Sequence, residues 1–273
     1  MEAIESAGIT DIGKRRKENE DALLIDDSMG LYVVADGVGG HRAGKEASQM
    51  VVETMAQTIQ SLCDTNNGED SFTNDPTLSE AANRLISAIQ FSNQRVYNSG
   101  NTNKDCQGMC STVATVYFTD ETLIAANVGD SPIYLIRNGT IDLLSTPHTV
   151  LAEQAFPASD NMDQKVHQFK NVLTRAMGID ETVKADVCEI QCFAKDIVVL
   201  CSDGLSQSLQ LDEISAITMK NPPGKACRSL IDLANKRGGN DNITVIVLKL
   251  NKSRKRGKKT GRFLPRILVK SVP

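Results

Sequence analysis

The sequence predicts a layered sandwich of mostly antiparallel strands flanked by helices. Three observations carry that prediction. Two long helical patterns, near 44–62 and 77–98, lie between blocks of strand-sized apolar runs. Two more helical patterns follow at 211–219 and 223–237. Asn138-Gly139 between apolar runs is a strong hairpin signal.

Taken in order, residues 22–35 read as two strands joined by a turn at Asp26-Asp27-Ser28-Met29-Gly30. Residues 44–62 read as a helix because Ala47, Met50, Val51, Met55, Ile59 and Leu62 recur at three- and four-residue steps. Residues 64–76 are polar, rich in Asn and Asp, and end in Pro, the pattern of a loop. Thr77-Leu78-Ser79-Glu80 reads as a capping box opening the second helix. Strands are expected at 111–118, 122–128, 131–137, 140–144, 184–192, 196–202 and 243–250. Pro222-Pro223 at the start and Gly238-Gly239 past the end bracket the last helix. No element is assigned within 147–182.

The 273 residues suffice for a full core. Aromatic content of 4% with no Trp leaves little to stack bases on, so nucleic acid is not an expected partner. The formal charge of −4 hides an asymmetry: 251–273 holds nine Lys/Arg and no acid, which leaves 21 bases against 34 acids in the body. An acidic body favours cations over polyanions. The seven cysteines show no zinc spacing and read as reduced thiols. With no leader-like start and no apolar run long enough to span a membrane, the expected location is cytoplasmic.

Four separated aspartates carry the chemistry. Asp36, Asp130, Asp203 and Asp241 each lie in a short turn-like motif beside an apolar run. Taken singly, each is an ordinary turn or capping residue. Brought together, they repel one another until cations neutralise them, so a multi-cation site built from oxygen donors is expected.

The motifs containing these residues resemble those of the protein phosphatase 2C family, the metal-dependent Ser/Thr protein phosphatases, in their bacterial form. The resemblance rests on Thr10-Asp11-Ile12-Gly13 with Arg16 and Asn19-Glu20-Asp21, then Val33 to His41, Gly108-Met109-Cys110-Ser111-Thr112, Asn127 to Ser131, Leu173 to Gly178, Cys201 to Leu205 and Asn240 to Thr244. These follow in family order over nearly all of 6–250. The family fold is α+β: a four-layer α-β-β-α sandwich of two mostly antiparallel sheets flanked by helices. The resemblance therefore implies a catalytic domain over 1–250, a flap over 150–172 and a flexible basic tail over 251–273.

The resemblance also implies a site. Asp36 matches the carboxylate bridging two ions, and the Gly37 carbonyl adds a contact to the second. Asp203 and Asp241 match the remaining ligands of the first ion. Glu20 and Asp21 match the acidic pair near the second, and Asp130 with Asp203 matches a third-ion position. An all-oxygen set points to Mg2+ or Mn2+. Two such ions bind phosphate and activate water for phosphoserine and phosphothreonine hydrolysis. Arg16 matches the phosphate-binding arginine, and His41 is a candidate for guiding substrate or relaying a proton.

Two positions depart from family patterns. Val38 stands where animal members carry a His after Asp-Gly, and Pro147 replaces an Asp usual before the residue matching His148. His148 is accordingly expected to be structural. The implied partners are phosphorylated proteins and a cognate Ser/Thr kinase, for a monomeric enzyme. The alternatives are a pseudophosphatase acting as a binding module, and a tail at 251–273 that contacts membrane or an acidic partner.

Overall fold

The computed structural model describes residues 4–39, 43–64, 75–119, 122–153, 172–251 and 270–272. Its strands are β1 (Ile4–Asp11), β2 (Asp21–Asp26), β3 (Leu31–Val38), β4 (Cys110–Ser111), β5 (Val113–Thr119), β6 (Thr122–Val128), β7 (Ile133–Arg137), β8 (Thr140–Leu143), β9 (Ala185–Gln191), β10 (Ile197–Cys201), β11 (Ile243–Leu250) and β12 (Lys270–Val272). Its α-helices are α1 (Ala43–Asp64), α2 (Glu80–Thr102), α3 (Val150–Glu153), α4 (Asp203–Ser206), α5 (Leu211–Lys220) and α6 (Pro223–Lys236).

One sheet runs β1-β11-β10-β7-β8. The other runs β12-β9-β6-β5-β3-β2, with β4 added beside β3. Every pairing is antiparallel. Strand periodicity sorts the side chains into three cores. Leu31, Val33 and Ala35 of β3 join α1 and α2 in one core, while Tyr32 and Val34 enter the core between the sheets. On β11, Val245 and Val247 pack with α5 and α6, whereas Ile246 and Leu248 face inward. This is the expected four-layer α+β sandwich.

Several local expectations hold. Asp26 Oδ1 accepts from the Ser28 and Met29 amides, closing the turn before β3. Asn138 (φ 53°) and Gly139 (φ 85°) both take left-handed backbone between β7 and β8, as a two-residue hairpin of this type requires.

Others are corrected. The cap of α2 is Ser79, whose Oγ accepts from the Ala82 amide. Thr77 is instead drawn into a turn by Asp75 Oδ1, which accepts from its amide and hydroxyl. β1 was not anticipated. Gly8 interrupts its pattern because a Cβ there would meet Ile25 Cδ1 at 2.9 Å and the Val245 carbonyl at 3.3 Å.

The largest correction concerns the tail. Lys270–Val272 form a strand that covers the edge of β9, with Lys270 opposite Val187 and Val272 opposite Ala185. Val272 is 2% exposed within the helix-side core. Full burial of such a side chain contributes about 1.5–3 kcal/mol, which favours seating these residues on β9. Of the expected flap, the two ends are pinned together: Thr149 bridges to Leu173, and the Val150 amide donates to the Val172 carbonyl at 2.9 Å. Residues 154–171 lie outside the described residues, as do 252–269.

Candidate metal centre

The site forms at one end of the sandwich, where the two sheets deliver carboxylates from several segments. Asp21 opens β2 and pairs in register with Asp36 on β3. Asp36 and Gly37 lie inside β3 rather than in a turn after it, because β4 pairs with Gly37 and Val38 and carries the ladder further. Asp203 opens α4 directly after β10, and Asp241 precedes β11. Asp130 follows Gly129 at the end of β6.

The backbone packs tightly around these residues. The Asp36 amide donates to Thr112 Oγ1 at 3.0 Å, and the Thr112 amide returns a bond to the Asp36 carbonyl at 2.8 Å. Gly37 has to be glycine: a Cβ would stand 2.0 Å from the Gly44 carbonyl oxygen at the start of α1. Asn242 Oδ1 accepts from the Glu20 amide, while its Nδ2 donates to the Ile12 and Glu18 carbonyls. One amide side chain therefore ties the Arg16-bearing loop to the segment holding Asp241.

Glu20, Asp36, Asp130, Asp203 and Asp241 line a single cavity of about 250 Å³, together with Arg16, Gly37, Val38, Gly39, Thr112, Leu173 and Asn242. Five carboxylates thus share that lining with one base, Arg16. Its Nη2 donates to Asp241 Oδ2 at 2.8 Å, which holds the guanidinium more firmly protonated. Asp21 sits behind the lining at 7% exposure, its Oδ2 accepting from Ser202 Oγ at 2.8 Å and Thr244 Oγ1 at 2.6 Å.

Crowding and burial raise the proton affinity of the cluster. Burial, then the Asp21, Asp203, Asp241 and Asp130 carboxylates, push Asp36 well above the usual carboxylate range. Burial raises Asp21 to about 6 despite its two hydroxyl donors. Burial and Asp203 raise Asp130 to about 7. Asp203 is raised by burial and by Asp241, and Glu20 chiefly by burial. Such a group of acids is suited to giving up protons in exchange for a multivalent cation.

The donor set fits hard divalent ions. Glu20 Oε1 and Asp21 Oδ1 are buried without a hydrogen-bond partner, a costly state for a carboxylate oxygen that a cation or its water shell relieves. Among the described residues, no three His, Cys, Asp or Glu side chains close on a single point. The titratable side chains lining the cavity, apart from Arg16, are carboxylates with no Cys or His among them, an oxygen-donor set suited to Mg2+ or Mn2+.

Arg16 and all seven candidate metal residues are therefore gathered at one end of the fold. His41 lies outside the described residues. His148 is wholly buried, with Nδ1 accepting from the Gly129 amide at 3.0 Å. The other ring nitrogen faces Arg175 Nη1 at 3.1 Å and Asp186 Oδ2 of β9 at 3.5 Å. Sequence reasoning assigned no role to Thr112, Ser202, Asn242 or Thr244, which hold the carboxylates in place. Their signal was adjacency, since each lies within or beside one of the aspartate motifs. Gln207 was missed too. Its Nε2 donates to Asp203 Oδ2 at 2.7 Å, one helical turn along.

The family model described as protein phosphatase 2C matches residues 13–230. The chain belongs to the protein phosphatase 2C family. A putative protein phosphatase 2C-type protein of Streptococcus pyogenes serotype M6 is 34% identical over 244 residues, covering 88% of this chain and 94% of that protein. The serine/threonine phosphatase stp of Listeria welshimeri is 31% identical over 247 residues, covering 89% and 94%. Among solved structures, the catalytic domain of the phosphatase PstP, in complex with two manganese ions, superposes with a TM-score of 0.75 at 26% identity, covering 92% of this chain and 99% of that one. This phosphatase 2C chain is thus an enzyme of the bacterial phosphoprotein phosphatase type. Among its described residues, no helix is long and apolar enough to cross a membrane.

Proposed function

We propose that this chain hydrolyses phosphoserine and phosphothreonine in proteins with the help of two Mg2+ or Mn2+ ions. The observation that carries the reading is the cavity in which five carboxylates from separate segments meet a single arginine, backed by orphaned buried oxygens on Glu20 and Asp21. Asp36, the Gly37 carbonyl, Asp203 and Asp241 would hold the pair, with Glu20 and Asp21 beside the second ion and Asp130 with Asp203 at a third. Bound there, divalent ions supply Lewis acidity toward the phosphate and activate the attacking water.

The protein's own groups set the geometry. The Arg16 guanidinium offers a planar fork to two phosphate oxygens. Asn242 keeps the Arg16 loop registered on the carboxylate cluster through its bonds to Ile12, Glu18 and Glu20. Val38, at 47% exposure, presents an apolar rim and has no proton to give a leaving alkoxide. His41 remains the candidate for substrate guidance or proton relay.

The same reading includes a cognate Ser/Thr kinase that phosphorylates the substrates, a monomeric enzyme in the cytoplasm, and contact between the basic run at 251–273 and an anionic surface. The eight bases of 251–269, with no acid among them, support that last element. The deciding experiment is phosphate release from phosphoserine, phosphothreonine and phosphotyrosine peptides with Mn2+, with EDTA, and with Asp203→Ala. Mn2+-dependent release from the first two, lost with EDTA and in the variant, is expected. Release that persists in EDTA would overturn the reading.

A further inference from the structure

The end of the basic run is connected to the candidate metal centre. β12 brings Ser271 opposite Asp186, and the Ser271 hydroxyl donates to Asp186 Oδ1. The same carboxylate accepts from Arg175 Nη1 at 3.1 Å. Burial pushes Asp186 up, but hydrogen bonds from His148, Ser271 and Thr146 outweigh it and hold the carboxyl below its usual range. His148 Nδ1 accepts the Gly129 N–H, and Nε2 on the far side of the ring faces both Arg175 Nη1 at 3.1 Å and Asp186 Oδ2 at 3.5 Å.

From His148 the connection reaches the site directly. Its ring accepts the Gly129 amide at 3.0 Å, and its own backbone amide donates to the Gly129 carbonyl at 3.0 Å. Gly129 takes a φ of +97°, and a Cβ there would meet Thr112 Cγ2 at 2.6 Å. The next residue is Asp130, on the cavity wall. Lys270 anchors the outer end of the strand on Asp75 and Thr77, and Val272 anchors it in the helix-side core.

We propose that Lys270–Val272 is a positioning strand for the metal centre: docked on β9, it fixes Asp186 and His148, which clamp Gly129 and so hold Asp130 toward the cavity. Occupancy of the β9 edge then governs how well the Asp130 position takes a divalent ion. The role of Asp130 rests on the phosphatase reading, whereas the coupling of strand to turn does not.

The test uses the full chain with Ser271→Ala, Ser271→Thr and Val272→Asp. Exchange of the Gly129 amide is followed by NMR in metal-free protein, and Mn2+ binding by calorimetry. The expected result is several-fold faster Gly129 exchange in Ser271→Ala and Val272→Asp, weakening of the loosest Mn2+ class by threefold or more, and recovery of both in Ser271→Thr. A lowered Tm with unchanged Gly129 exchange and an unchanged Mn2+ isotherm would make the strand merely structural and overturn the proposal. A wild-type protein that binds no Mn2+ sinks the phosphatase reading instead, and Gly129 exchange alone then decides whether strand and turn are coupled.

Discussion

Arg16 Nη2 donates to Asp241 Oδ2 at 2.8 Å, pairing the base matched to phosphate with a carboxylate matched to the first ion. Both partners are partly exposed, so the pair itself adds little stability. Its consequence is functional: both groups line the same cavity, so a cation held by Asp241 would compete with the guanidinium for that carboxylate. Arg16→Ala should therefore raise KM for phosphopeptides and lower kcat/KM by about tenfold to a hundredfold, the worth of a charge-assisted contact. Steady-state kinetics at saturating Mn2+ check this, and an unchanged KM would remove Arg16 from phosphate binding.

Asp36 is crowded electrostatically by the Asp21, Asp203, Asp241 and Asp130 carboxylates and lines the cavity from β3. Asp36→Asn should keep the ladder, because its backbone bonds to Thr112 are unaffected. It should lower turnover by at least about a hundredfold, comparable with losing a main electrostatic stabiliser. Circular dichroism with a phosphate-release assay separates folding from chemistry.

Metal-free stability should fall as pH rises. Asp21 at about 6, Asp130 at about 7 and the strongly raised Asp36 bind protons more tightly folded than unfolded. Their contribution is complete below the ordinary carboxylate range and is lost as pH climbs through those values. Asp186 is shifted the opposite way, so its effect falls at more acidic pH. Melting curves in EDTA should show a lower Tm at pH 8 than at pH 5, and Mn2+ should raise Tm more at pH 8, where protons compete less. A Tm in EDTA that is flat across this range would contradict the cluster's electrostatics.

Gly13 sets the approach of the Arg16 loop. Its φ is +77°, and a Cβ would stand 2.1 Å from the Asp241 carbonyl oxygen. Gly13→Ala should cost at least ~1–2 kcal/mol from the left-handed backbone alone. It should also raise KM as the loop moves off Asp241. Thermal melts and kinetics on the same preparation measure both effects.

Much of this was legible in the chain because the signals are local. The helices at 43–64 and 80–102 follow from apolar spacing, and Asn138-Gly139 marks its hairpin. What escaped depends on contacts distant in sequence. β1 carries no clean alternation, since Gly8 answers to Ile25 and Val245 across two other strands. Ser79 rather than Thr77 caps α2 because Asp75 captures Thr77 first. β12 is three residues inside a basic run, and only the open edge of β9 and a buried place for Val272 make it a strand. At the site, the aspartates announced themselves through their motifs. Asp186 did not, because it reaches His148 from a strand 38 residues further on.

The most direct measurement is diffraction at the manganese edge from crystals grown in MnCl2. Two anomalous peaks flanking Asp36, with Asp203, Asp241 and the Gly37 carbonyl turned toward them, are predicted. A cavity without anomalous signal, with Arg16 still paired to Asp241, would contradict the account.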